Sequence, residues 1–127
     1  HEYQTLWNGE NGRVYFYQCE IPYDVPNQAA WMDGSIDGYS AYKVADSVNS
    51  HFALGLGVYS YFRDATVSLE NAIKVPDSPN VHIYHATSIF LAGNGQITHI
   101  VNGYGDVANS SSYRQQISEY YNGTIVW

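Results

Sequence analysis

The sequence predicts an all-β fold whose short strands stack as the coils of a parallel β-helix, with an antiparallel β-sandwich as the alternative. Three observations lead there. Aromatic and β-branched segments alternate with Asn/Gly corners at irregular spacing, a rhythm of strand, loop, strand. No amphipathic helix of any length is visible. Clean hairpin signals are few, which favours coils over a sandwich, whose strands would be joined by tight turns.

The 127 residues suffice for one core and are too few for two, so residues 1–127 are read as a single β domain. The net charge is −7, from 12 acidic and 5 basic residues, which excludes nucleic acid and anionic membrane as partners because either requires a basic face. Charged residues are only 13% of the chain, against a globular average of about 25%. Asn, Ser, Gln, Gly and Tyr must therefore cover the surface. With 13 tyrosines and 3 tryptophans, such a surface suits sugars: rings stack on pyranose faces, while amides and hydroxyls bond the hydroxyl groups. The bland reading is a β-protein that favours tyrosine in its strands.

Cys19 is the single cysteine, so no internal disulfide is expected. No apolar run reaches the roughly 20 residues of a membrane helix. The chain opens at His1 without an initiator Met or a signal peptide and reads as a processed or excised piece. Asn109-Ser-Ser and Asn122-Gly-Thr are N-glycosylation sequons, and with them the expectation is a secreted, extracellular glycoprotein.

Taken in order, residues 2–7 read as a short strand and residues 8–12, Asn-Gly-Glu-Asn-Gly, as a hairpin-like turn. Residues 14–26 anchor the chain. Alternation puts Val14, Phe16, Gln18 and Glu20 on one face and Tyr15, Tyr17, Cys19 and Ile21 on the other. Pro22 and Pro26 end the ladder because neither donates a backbone hydrogen bond. Glu20 thus falls at a strand end among aromatics, where desolvation would raise its pKa toward that of a general acid. Its bland reading is an edge-strand glutamate facing water.

Residues 27–32 form a bend carrying Trp31, residues 33–38 a Gly/Asp loop, and residues 39–48 a strand. Residues 51–62 are the next strong strand, with Leu54, Leu56, Val58, Ser60 and Phe62 on one face and Gly55, Gly57, Tyr59 and Tyr61 on the other. The two glycines leave bare backbone there, a mark of close approach by a ligand or another chain segment. Without a following helix, this Gly-x-Gly is no dinucleotide site, and no cofactor is expected. Residues 66–75, 81–85, 87–91, 97–101 and 124–127 complete the strands, residues 102–112 are a polar loop, and residues 113–121 are ambiguous.

Five histidines invite a metal reading. His82 and His85 are three apart and would face opposite ways on a strand, so they cannot chelate together. A buried or hydrogen-bonded state suits His85 and His99 better. An N-terminal His1 could chelate copper through its amine and ring, but no motif supplies the second His and axial Tyr. No metal site is expected.

At residues 17–23, Tyr-Gln-Cys-Glu-Ile-Pro-Tyr, and 55–62, Gly-Leu-Gly-Val-Tyr-Ser-Tyr-Phe, the chain resembles the C-terminal part of glycoside hydrolase family 55. This family comprises fungal and bacterial exo-β-1,3-glucanases and related secreted fungal proteins. The resemblance extends through residues 81–91 and 97–102. It implies right-handed parallel β-helix coils, the C-terminal portion of a larger β-helical protein, and inverting hydrolysis of β-1,3-glucan with Glu20 as the general acid. Inversion requires a second group on the opposite face of the sugar. Tyr3-Gln4 matches a family pair that places this partner acid just upstream of His1. In this reading Gln18 and Tyr23 orient Glu20, while Trp31, Tyr59 and Tyr61 are sugar platforms. The N-terminal edge would meet a partner segment or chain. The competing reading is a non-catalytic glucan-binding or structural β-module.

Overall fold

The computed structural model describes residues 2–127. Eleven strands follow in order: β1 (Thr5–Trp7), β2 (Gly12–Glu20), β3 (Met32–Asp33), β4 (Ile36–Asp37), β5 (Tyr42–Val44), β6 (Ser50–Phe62), β7 (Ser68–Lys74), β8 (Asn80–Gly93), β9 (Gln96–Val101), β10 (Arg114–Tyr121) and β11 (Thr124–Val126). The single helical turn among the described residues is 3₁₀, Gln28–Ala30, capped by the Asn27 side chain accepting from the Ala30 N–H at 3.0 Å.

The chain passes back and forth between two sheets. One has the order β1-β5-β7-β9, all parallel; the other is β11-β10-β8-β6-β2, parallel through β2, β6 and β8 and antiparallel at β10 and β11. Residues 8–12 are therefore no hairpin. They form a corner that carries the chain from β1 in one sheet to β2 in the other. True hairpins occur at β3–β4 and β10–β11, and the ambiguous residues 113–121 supply β10.

Inward side chains stack in register between the sheets. Val14, Ala53, Ile83 and Tyr120 form one column; Tyr17, Leu56, Ala86 and Ile117 form a second. Each parallel neighbour thus continues the apolar core of the last, so apolar area is buried between the two sheets without a helix. Corners are tied by polar groups. The Glu10 carboxylate accepts from the Asn49 and Ser50 backbone N–H groups at 2.9–3.0 Å, and these bonds hold its pKa below the usual carboxylate range.

The alternation inferred for the anchor strand breaks at one residue. Phe16 is left-handed (φ 63), as are Gly55 (φ 76) and His85 (φ 52), and these three are skipped together in the registers of β2, β6 and β8. One extra residue per strand reverses the facing of everything after it. Val14 and Tyr17 both point inward, so Tyr15, Gln18 and Glu20 share the outer face, whereas strict period-2 counting puts Tyr15 opposite the other two. In β6, Leu54 lies outside at 38% exposure while Leu56, Val58 and Phe62 stay inside. In β8 the same kink corrects the histidine reading: His82 and the exposed His85 both lie on the outer side.

Candidate active site at the end of β2

Glu20 is the last residue of β2 and exposed. Its Cα partner is Tyr59, and the Ile21 N–H donates to the Tyr59 carbonyl at 3.0 Å, so the strand end is pinned to β6. Pro22 follows, and the chain leaves the sheet there, as the prolines dictate. The aromatic wall expected around Glu20 does not close over it within this chain: the carboxylate stands in solvent on the outer face.

Around it the structure gathers four of the five binding residues expected from the sequence. Gln18 is exposed on the same face, two residues back along β2. The Tyr23 ring lies 5.4 Å from that of Tyr61, tilted by 50°. Tyr59 lies back over Gly57: a Cβ built there would sit 3.0 Å from Tyr59 Cε2 and 3.3 Å from its hydroxyl. Gly57 is therefore a seat for the Tyr59 ring rather than bare backbone. Gly55 has a different reason, its φ of 76, and a Cβ there would meet nothing closer than 3.8 Å.

Trp31 does not join them. It is 4% exposed, 5.7 Å from the Phe62 ring and packed over Gly38, where a Cβ would come within 2.6 Å of its own ring. A tryptophan with both faces so covered is core, and the expectation of a sugar platform there fails.

The left-handed column beside this cluster opens a groove of about 320 Å³ on the outer face, lined by Phe16, Gln18, Gly55, Tyr59, His85 and Arg114 among others. Glu20 itself heads a row of register partners, Tyr59, Ile89 and Arg114, none of them a carboxylate.

The chain is 42% identical over 106 residues to an exo-beta-1,3-glucanase of Streptomyces sp. (strain SirexAA-E / ActE), a match covering 83% of this chain and 18% of that protein. The structure of sacteLam55A from Streptomyces sp. SirexAA-E superposes with a TM-score of 0.89 and 37% identity, over 94% of this chain and 22% of the other. A glutamate-to-alanine variant of sacteLam55A in complex with glucose, described by ensemble refinement, superposes at 0.90 with 36% identity. This chain is a relative of the glycoside hydrolase family 55 glucanases.

No family model matches it. It spans between 18% and 22% of the length of these bacterial relatives. Of the site residues expected from the family 55 resemblance, Glu20, Gln18, Tyr23, Tyr59 and Tyr61 come together and Trp31 stands apart. Arg114 had no signal in the sequence, because its place depends on pairing between distant strands, and His85, expected to be buried or hydrogen-bonded, is exposed at a left-handed position. Asn122 is exposed at the β10–β11 turn, whereas the Asn109 side-chain Oδ1 accepts from the Ser111 and Ser112 N–H groups at 2.9 and 3.1 Å. Among the described residues, no cluster of His, Cys, Asp or Glu could hold a metal ion; His1, with its copper reading, lies outside them.

Proposed function

We propose that this chain forms right-handed parallel β-helix coils at the C-terminal end of a larger secreted enzyme that hydrolyses β-1,3-glucan with inversion. In this reading Glu20 is the general acid. The observation that carries it is the outer-face cluster: a strand-end glutamate flanked by Gln18, Tyr23, Tyr59 and Tyr61, in a chain 42% identical to an exo-beta-1,3-glucanase. The to-and-fro of β1–β2, β5–β6 and β7–β8 between two sheets supports the coil reading, and parallel crossovers are right-handed almost without exception.

The residues divide the work by their chemistry. Glu20, protonated, gives its proton to the departing glycosidic oxygen as the bond to the anomeric carbon breaks. Tyr59 and Tyr61 offer ring surface to the sugar. Gln18 supplies both a carbonyl acceptor and amide donors, which can hold a hydroxyl and orient the carboxyl group. An incoming water must be activated from the opposite face of the sugar, at the wider carboxylate separation that inversion uses. No register partner of Glu20 can do this, so that group comes from the remainder of the enzyme. The same remainder would cover Glu20 and exclude water from its carboxyl group.

The test is glucose release from laminarin by the full-length protein and by its Glu20→Gln variant, with the anomer of the first product read by NMR. Release of inverted α-glucose that depends on Glu20 is expected. Binding of laminarin without any release would establish a non-catalytic glucan-binding module instead.

A further inference from the structure

We propose that Asn122 is an N-glycosylation site whose first N-acetylglucosamine is seated on the Tyr121 ring. This rests on the reading of a secreted protein given above and is independent of Glu20. Asn122-Gly123-Thr124 is a sequon, and the fold places it in a tight hairpin loop. Tyr121 and Thr124 are register partners across β10 and β11, and Asn122 and Gly123 between them have φ 44 and φ 74. Two successive positive φ values are those of a type I′ turn, which Asn-Gly favours. The whole sequon and the tyrosine before it therefore share one turn.

The ring is placed to hold a sugar. His82 stacks on Tyr121 with centroids 4.7 Å apart and planes 23° from parallel, which fixes the ring from one side. Tyr121 is still 39% exposed, so the rest of the ring meets solvent beside the exposed Asn122 and Thr124. The C–H face of a pyranose packs on such a surface. Among the described residues β11 is the outermost strand of its sheet, so a glycan projects from an edge and displaces no neighbouring strand. Asn122 also follows Arg114, in the row of Glu20, by eight residues, about 26 Å at 3.3 Å per residue. The glycan leaves the Glu20 end of the sheet open.

Asn109 is the internal contrast. Its carboxamide is tied to its own loop, and the groove at its side is lined by Thr66, Ser68, Gln96 and Ser110, with no ring among the lining residues. Attachment at Asn122 uses a lipid diphosphate carrying an oligosaccharide that begins with N-acetylglucosamine. The Asn122 Nδ2 bonds to the anomeric carbon and loses a proton, while the carbon–oxygen bond to the diphosphate breaks and the lipid diphosphate leaves.

In the experiment the full-length protein is secreted from a eukaryotic host behind a secretion leader, and peptide mass spectrometry reads both sequons. Asn122 should carry glycan, and an unmodified Asn122 overturns the site. Amide hydrogen exchange over residues 119–126 then reads the seat, before and after peptide N-glycosidase, which leaves an aspartate in the turn. Removal should quicken exchange about fivefold, the loss of one ring contact. Tyr121→Ala should abolish that difference while Asn122 remains modified. No quickening in the parent, or an equal quickening in Tyr121→Ala, overturns the ring seat. Neither readout involves glucan turnover, so the result stands or falls apart from Glu20.

Discussion

The outer face of the larger sheet has two halves, divided by the left-handed column, and they differ in how continuously aromatic residues run across the strands. Before the column, Tyr15, Phe52 and Tyr84 follow one another at ring separations of 5.7 and 5.4 Å, and His82 stacks on Tyr121 at 4.7 Å. These rings are one another's partners, an interlocked cross-strand band. Beyond the column the rows are mixed: Gln18, Gly57, Thr87 and Gln116, then Glu20, Tyr59, Ile89 and Arg114. There Tyr59 has Gly57 rather than a ring beneath it, while Tyr61 pairs with Tyr23 at 5.4 Å. A count of tyrosines therefore says little about a binding site. What sets Tyr59 apart from the ring-paired tyrosines on either side of the column is the glycine beneath it.

The contrast can be broken most sharply at Glu20. If Glu20 is the acid proposed above, Glu20→Gln in the full-length protein should lower turnover of poor-leaving-group substrates by roughly 10²–10⁴-fold while glucan binding stays close to the parent's. Steady-state kinetics alongside laminarin binding check this, and an equal loss of both would place Glu20 in the fold rather than the chemistry.

The next largest effect separates the halves by stability. Phe52→Ala removes a half-buried ring that touches two others and should cost roughly 2 kcal/mol. Tyr59→Ala should cost under about 1 kcal/mol yet weaken glucan binding. Urea unfolding midpoints of the two variants measure the difference. Similar costs for both would erase the distinction.

Glycine substitutions give a smaller version of the same test. Gly55→Ala forces a Cβ into φ 76 and should destabilise by about 1 kcal/mol, although there is room for the methyl group. Gly57→Ala has ordinary backbone and should melt near the parent's temperature, but its methyl displaces the Tyr59 ring and should weaken glucan affinity. Thermal melts and glucan titration of both variants separate backbone need from ring seating.

The smallest effect lies beneath the aromatic half. His51 is buried, 2.7 Å from the Tyr42 hydroxyl, and burial lowers its pKa below the ordinary 6.5. The unfolded chain then binds the extra proton first as pH falls. His51 thus favours the fold fully above about pH 6.5, and that contribution fades as pH drops through the unfolded value. The melting temperature should decline between pH 7 and 5, and His51→Gln should flatten that part of the curve.

Much of the fold was legible because period-2 patterning and breakers are local. Pro22 ended β2, Asn/Gly corners marked changes of sheet, and a break was visible near Ala86, one residue from the left-handed His85. That Gln18 shares a face with Glu20, and Tyr59 with Tyr61, was legible from alternation. Trp31 was misjudged because a tryptophan in a bend looks the same in sequence whether its faces meet water or Phe62.

The sequence by itself determined the all-β character, the neutral aromatic surface and the place where the acid-bearing strand stops. These follow from backbone donors, side-chain branching and charge, properties each residue carries alone. Only the tertiary structure decided which face Glu20 occupies. That outcome depends on Phe16, Gly55 and His85 entering the left-handed region at one register in three parallel strands separated by dozens of residues. A single strand gives no cause for a phenylalanine to do so; cross-strand hydrogen bonding, which must stay in step along the sheet, does.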